Sequence, residues 1–396
     1  MVSLLLCVAF LAKNAAAAPP ETRVCDAHKA LLVEDQRGRP AFVWHDAAAK
    51  EWRPEGRAWD DTPTPFARLS VRAKGKVPGG VWLLSQHSAG LVFRFKTDAP
   101  TVRVRVTTGG SLAMPHMTAV GVSGVDLYAR GEDSGGAWRW AGATKPSAKH
   151  TDAALFDGAK PLPREFALYL PLYNNTVALA VGVPAGSAFE TLPPRPAKPL
   201  VFYGTSILHG CSASRPGMTI PALLGRWLDT PTVNLGFSGN GRMETALADV
   251  LGEIDAAAYV LDCLPNMHYG MPPAEVERRT LAFVKRLREK RPTTPVVLVE
   301  DRTLGNAWLL PRLQREHKQT RAAYRAAYAK LVAGGVKGLR YIAGDGLIGS
   351  DDEATIDASH LTDLGMWRQA KTLLPVLREY LPANAAAAGC AAGAVR

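Results

Sequence analysis

Along residues 25–185 apolar and polar positions alternate with a period of two, most clearly at 90–96 (GLVFRFK), 101–107 (TVRVRVT) and 176–182 (TVALAVG). Such alternation marks a strand that buries one face and leaves the other to solvent. In the middle run Val102, Val104 and Val106 fall on one face and Arg103 and Arg105 on the other, which reads as a solvated face. Glycine and proline punctuate these runs, and no amphipathic helical period intervenes. The pattern predicts an all-β, antiparallel sandwich of jelly-roll type over residues 25–185.

Residues 186–199 (GSAFETLPPRPAKP) hold four prolines and read as a linker. The pattern then changes. Short apolar runs at 200–204 (LVFYG), 232–236 (TVNLG), 258–262 (AYVLD), 295–300 (PVVLVE) and 339–342 (LRYI) alternate with helical stretches. The helices are expected at about 218–228, 243–254, 272–290, within 312–334, and at 362–380. Continuously apolar strands separated by helices mean a parallel sheet covered on both faces. Residues 200–382 are therefore expected to form a three-layer α/β/α sandwich with a flavodoxin-like sheet. Residues 383–396 are a low-complexity, alanine-rich tail to which no function is assigned.

A chain of 396 residues suits two such domains, and its 36 glycines and 29 prolines suit a fold rich in turns. The apolar run at 2–12 (VSLLLCVAFLA) and the small residues up to Ala18 match a signal peptide over residues 1–18, too short to span a bilayer. Export to the periplasm or the medium is the expectation. The excess of 47 Lys and Arg over 36 Asp and Glu gives +11, but the basic residues are scattered, which argues against a nucleic-acid partner. Five cysteines without a CxxC pair argue against a structural zinc site. Cys7 would leave with the leader, and the pairing of Cys25, Cys211, Cys263 and Cys390 stays open.

Candidate chemistry lies in four short segments that end a strand or follow one: 204–206 (GTS), 236–241 (GFSGNG), 262–266 (DCLPN) and 357–360 (DASH). In a parallel sheet such loops converge on one edge. Ser206 can attack a carbonyl only if a base takes its proton, and His360 can be that base. Asp357, three residues earlier, can hold the imidazole tautomer and stabilise the imidazolium. The Ser206 and Gly239 backbone N–H groups and the Asn266 amide are candidate donors to an oxyanion. Each segment also has a plain structural reading. Gly-Thr-Ser can be a helix cap, Ser-Gly-Asn-Gly a turn, Asn266 a cap, and Asp-x-x-His the approach to a C-terminal helix. His209, His268 and His317 are lesser candidates for the base, because none has a carboxylate at comparable spacing.

Taken together, Gly204-Thr-Ser206-Ile, Gly239, Asn266 and Asp357-x-x-His360 resemble the four blocks of the SGNH (GDSL-type) hydrolase family. The 114–117 (MPHM), 124–128 (GVDLY) and 138–140 (WRW) segments resemble the GxDLY domain that accompanies one branch of these esterases. The resemblance covers about residues 25–380. It implies Ser206 as nucleophile, His360 as base, Asp357 as its orienting carboxylate, and Ser206, Gly239 and Asn266 as the oxyanion hole. It also implies an exported serine esterase that removes short acyl groups, chiefly acetyl, from carbohydrate, with no metal or organic cofactor. A lipid, phospholipid or thioester hydrolase is the alternative within the family. A carbohydrate-binding protein with a degenerate hydrolase domain is the alternative outside it. Thr205 stands where the family's name-giving motif has Asp, so no role of that Asp transfers. In the first domain Tyr128, Trp138, Trp140 and His116 either line the cleft and meet sugar or fill the sandwich core, with Asp126 fixing a turn.

Overall fold

The computed structural model describes residues 41–382 apart from Tyr269. The expected leader, Cys25, Cys390 and the alanine-rich tail lie outside the described residues. In the first half the strands are β1 (Phe42–Asp46), β2 (Val92–Thr97), β3 (Val102–Thr108), β4 (Asp126–Gly131), β5 (Arg139–Ala143), β6 (His150–Phe156), β7 (Arg164–Tyr169), β8 (Thr176–Pro184) and β9 (Phe189–Leu192). They form two antiparallel sheets, ordered β1-β8-β3-β6 and β5-β4-β7-β2-β9. The chain passes from one sheet to the other at almost every step, as a jelly roll requires. Val102, Val104 and Val106 are buried between the sheets with Phe93, Phe95 and Phe166. On the opposite face Arg103 and Arg105 pair with Asp152 at 2.7 and 2.9 Å. Residues 189–192, inside the stretch read as linker, form a strand that pairs with β2.

Two short helices interrupt the sandwich, where the pattern showed no amphipathic helix: α1 (Gly79–Leu84) and α2 (Ala119–Ser123). At six and five residues they are too short to display a periodic apolar face. Both serve the contact with the second half.

The second half contains α3 (Ser206–His209), α4 (Ile220–Trp227), α5 (Thr245–Leu251), α6 (Leu264–His268), α7 (Pro273–Lys290), α8 (Pro311–Ala333) and α9 (Asp363–Arg378). Its strands are β10 (Leu200–Gly204), β11 (Thr232–Gly236), β12 (Ala258–Asp262), β13 (Val296–Val299) and β14 (Leu339–Ile342). All pair in parallel, in the order β11-β10-β12-β13-β14. Alternate residues of β10 serve opposite layers. Val201 and Tyr203 join the cluster that includes Leu247, Phe283 and Tyr324, from α5, α7 and α8. Leu200 and Phe202 join the one with Leu224, Met366 and Leu373, from α4 and α9. This is the three-layer α/β/α sandwich. Burial of one such side chain contributes about 1.5–3 kcal/mol.

The strand order reverses between β10 and β12, whose crossovers leave in opposite directions. In open α/β sheets this switch point opens a crevice at the carboxyl ends of the strands. Residues 205–206 follow one of these strands and residues 263–266 the other.

Arg68 ties the sandwich half to that edge. Its side chain is 1% exposed. Its guanidinium donates to the carbonyls of Asn234 and Gly236 at 3.0 and 2.9 Å, and to those of Leu84 and His87 at 2.7 and 2.9 Å. Burial lowers its pKa to about 9.

Candidate active site

Ser206 begins α3 directly after β10, and Thr205 caps the turn by accepting the Ile207 N–H at 3.3 Å. The capping task that a Gly-Thr-Ser turn suggests thus falls to Thr205, and the Ser206 hydroxyl faces elsewhere. His360 Nε2 lies 2.9 Å from Ser206 Oγ, and His360 Nδ1 lies 2.7 Å from Asp357 Oδ2. The other carboxylate oxygen of Asp357 accepts the backbone N–H groups of Ser359 and His360 at 3.1 and 2.7 Å. Ala358, between them, has φ of +71°, a left-handed conformation uncommon outside glycine. That local strain curls the turn so that one carboxylate holds both backbone and ring. Thr362, not His360, caps α9.

The charges suit a proton relay. Burial raises the Asp357 carboxyl, but its hydrogen bonds to His360 outweigh this and leave it below the usual range. The Cys211 sulfur within hydrogen-bonding reach pushes the His360 imidazole up to about 9, with burial opposing and Asp357 adding to the rise. Once the imidazole is neutral, an anionic Asp357 keeps the remaining proton on Nδ1, and Nε2 can accept one from the serine hydroxyl.

The loop of Gly239 and the segment of Asn266 come together against the same turn. The Phe237 N–H donates to the Gly204 carbonyl at 2.9 Å, and the Gly241 N–H donates to Asn266 Oδ1 at 3.1 Å. With its oxygen engaged, the Asn266 amide keeps Nδ2 as a donor. Gly239 has φ of +69°, which favours glycine. A Cβ on Gly241 would stand 2.3 Å from the Gly204 carbonyl oxygen, so this close approach also needs glycine.

Of the lesser histidines, His209 is fully buried with Nε2 2.8 Å from the Leu172 carbonyl oxygen, and burial holds its pKa well below normal. His268 and His317 stack at 4.1 Å beside Asp301. Of the histidines considered for the base, His360 is the one placed against the Ser206 hydroxyl.

The sequence singled out the 114–117, 124–128 and 138–140 segments without their contacts, and it gave no signal for Tyr173. The 114–117 segment is a tight turn in which Met114 and Met117 exchange backbone hydrogen bonds at 3.0 Å. At its tip His116 stacks on His360 with centroids 5.4 Å apart, and its Nε2 is 3.0 Å from Cys211 Sγ. Cys211 and Cys263 are both buried and unbonded to other cysteines. Tyr173 OH donates to the Ser206 carbonyl at 3.3 Å. Asp126, fully buried, accepts from Trp140 Nε1 at 2.9 Å, Arg215 Nη1 at 2.8 Å and the Gly217 N–H at 2.8 Å. Tyr128 is buried with its hydroxyl 2.6 Å from Arg215, and Trp140 is 55% exposed. These residues neither fill the sandwich interior nor merely shape a turn. They clamp the 210–217 loop that follows Ser206. At β12, Asp262 is buried in an ion pair with Arg302 at 2.9 Å and accepts from Gln369 at 2.8 Å, which stiffens the strand end before Asn266.

A parallel sheet in this order, with a serine after its first strand and a jelly roll packed on its edge, defines an SGNH-type α/β fold with an accessory β domain. Residues 197–378 match the GDSL-like lipase/acylhydrolase family, and residues 42–189 match the N-terminal domain of SGNH-hydrolase-type esterases. The crystal structure of a protein described as a GDSL-like lipase from Bacteroides ovatus ATCC 8483 is 33% identical, with 86% of this chain and 98% of that one covered and a TM-score of 0.80. The chain belongs to the GDSL-like lipase/acylhydrolase family. Two more distant structures share the fold. The salicylyl-acyltransferase SsfX3 of a tetracycline biosynthetic pathway is 20% identical over 84% of this chain and 95% of its own, with a TM-score of 0.68. A family two carbohydrate esterase from Cellvibrio japonicus is 13% identical over 86% and 98%, with a TM-score of 0.57. No curated protein matches the chain in sequence. Among the described residues, no helix is long and apolar enough to cross a membrane.

Proposed function

We propose that this protein is an exported serine esterase that removes short acyl groups, chiefly acetyl, from carbohydrate. The observation that carries the reading is the chain of contacts from Ser206 Oγ to His360 Nε2 at 2.9 Å and from His360 Nδ1 to Asp357 at 2.7 Å. Ser206 Oγ attacks the ester carbonyl while its proton passes to His360 Nε2. The Ser206 and Gly239 N–H groups and Asn266 Nδ2 receive the negative charge on the carbonyl oxygen. The C–O bond to the sugar breaks as His360 returns the proton to the departing alkoxide. Water, deprotonated by His360, then attacks the acyl-serine, the ester bond breaks, and Ser206 recovers its proton as the carboxylic acid leaves. Asp357 orients the ring and offsets its positive charge throughout.

The sugar class is motivated by the esterase-type accessory domain and by the carbohydrate esterase among the fold neighbours. Export is motivated by the leader pattern of residues 1–18. Acetate release from a panel of acetylated polysaccharides tests the substrate class. A p-nitrophenyl ester series of increasing chain length tests the acyl group, with acetyl or propionyl expected to be best. A preference for long chains would instead support a lipid hydrolase.

A further inference from the structure

His116, Cys211 and His360 come from three separate parts of the chain, and neither His116 nor Cys211 bonds to substrate or carries a proton in the reaction above. His116 sits at the tip of a turn from the β domain, Cys211 five residues after Ser206, and His360 in the final loop. One ligand atom of each lies within 4.8 Å of the other two. His116 Nε2 is 3.0 Å from Cys211 Sγ, and the two imidazoles stack with an interplanar angle of 28°. Cys211 is 1% exposed and free of any disulfide. A tetrahedral zinc ion with bonds of about 2.0–2.3 Å sets its ligand atoms roughly 3.3–3.6 Å apart. Bringing ligand atoms that already lie within 4.8 Å of one another to that spacing takes changes in separation of at most about 1.5 Å, within the reach of side-chain rotation. Two imidazoles and a thiol also suit a borderline or soft cation and reject magnesium or calcium, which prefer oxygen.

We propose that His116, Cys211 and His360 form a reversible inhibitory site for a zinc-class divalent cation. The ion takes the lone pair of His360 Nε2, which the reaction needs to accept the Ser206 proton. Cys211 binds as thiolate and its proton passes to solvent. The β domain thereby supplies a ligand that shuts the neighbouring site. The inhibitory consequence, unlike the ion site itself, rests on His360 being the base.

The test uses the full chain. Initial rates on p-nitrophenyl acetate are titrated with Zn²⁺ and, separately, with Mg²⁺, and each variant is scaled to its own metal-free rate. Zn²⁺ should inhibit saturably, chelation by EDTA should restore the rate, and Mg²⁺ should have no effect. His116→Ala and Cys211→Ser should each weaken inhibition by at least about 10-fold. Co²⁺ binding, read by its thiolate charge-transfer absorption, reports the site without reference to turnover, and Cys211→Ser should abolish that band. Zinc sensitivity as great in both variants as in the wild type would place the ion elsewhere, for instance at the buried His268, Asp301 and His317 cluster, and overturn the proposal. Full turnover in the presence of Zn²⁺, with no cobalt band, would overturn it while leaving the esterase reading intact. Absence of turnover before any metal is added would sink the esterase reading and the switch with it, while the cobalt band would still report the ion site.

Discussion

Asp126 of the β domain and Arg215 of the loop after Ser206 form an ion pair at 2.8 Å, with the aspartate fully buried. Burial raises the Asp126 carboxyl above its usual range, with Arg215, the Gly217 N–H and Trp140 opposing the rise. Breaking a buried pair from one side leaves the partner's charge uncompensated. Asp126→Ala should therefore lose about 3–5 kcal/mol of stability. Urea unfolding of wild type and variant checks this, and equal midpoints with equal slopes would contradict it.

The pH profile reports the setting of His360. A general base must be neutral, and this imidazole sits at about 9, raised first by Cys211. kcat/KM should therefore climb with pH and level off near 9, and Cys211→Ala should move that limb towards lower pH. A limb unmoved in the variant would show that the thiol does not tune the base. The same shift bears on stability. The folded value is above the ordinary value of about 6.5. The stabilisation is thus complete below about 6.5 and lost as pH rises through about 9.

Asn266 accepts from the Gly241 N–H through Oδ1, and the proposed mechanism uses its Nδ2 as an oxyanion donor. Asn266→Ala should lower kcat by about 10²–10³-fold with little change in KM, as expected for a donor used in the transition state. A rise in KM alone would mean that Asn266 binds the ground state instead.

The two loop glycines should differ. Gly239 has open space around a notional Cβ and only its positive φ to lose, a cost of roughly 1–2 kcal/mol for an alanine. A Cβ on Gly241 would stand 2.3 Å from the Gly204 carbonyl oxygen, so an alanine there must push the Ser206 turn aside. Gly241→Ala should lose far more kcat than Gly239→Ala, and the reverse order would contradict this reading of the loop.

Much of the fold was legible because burial imposes a period. Val102, Val104 and Val106 alternate with arginines since one sheet face is wet, and β10 is apolar throughout since both its faces are covered. The candidate site was legible where its members are local, as in the 357–360 turn, or where they end strands of one parallel sheet. What escaped is long-range. His116 and Cys211 are 95 positions apart, and Asp126 and Arg215 are 89 apart. No spacing rule links residues that meet because a jelly roll docks on the edge of an α/β sheet. The strand at Phe189–Leu192 escaped because the prolines that follow it dominate its neighbourhood.

The central claim is that Ser206 is the nucleophile activated by His360. Comparing acetate release by wild type, Ser206→Ala and His360→Ala under saturating substrate tests it most directly. Each variant should lose about 10⁶-fold in kcat, while Asp357→Asn should lose about 10⁴-fold. A folded Ser206→Ala protein that still releases acetate at the wild-type rate would contradict the account.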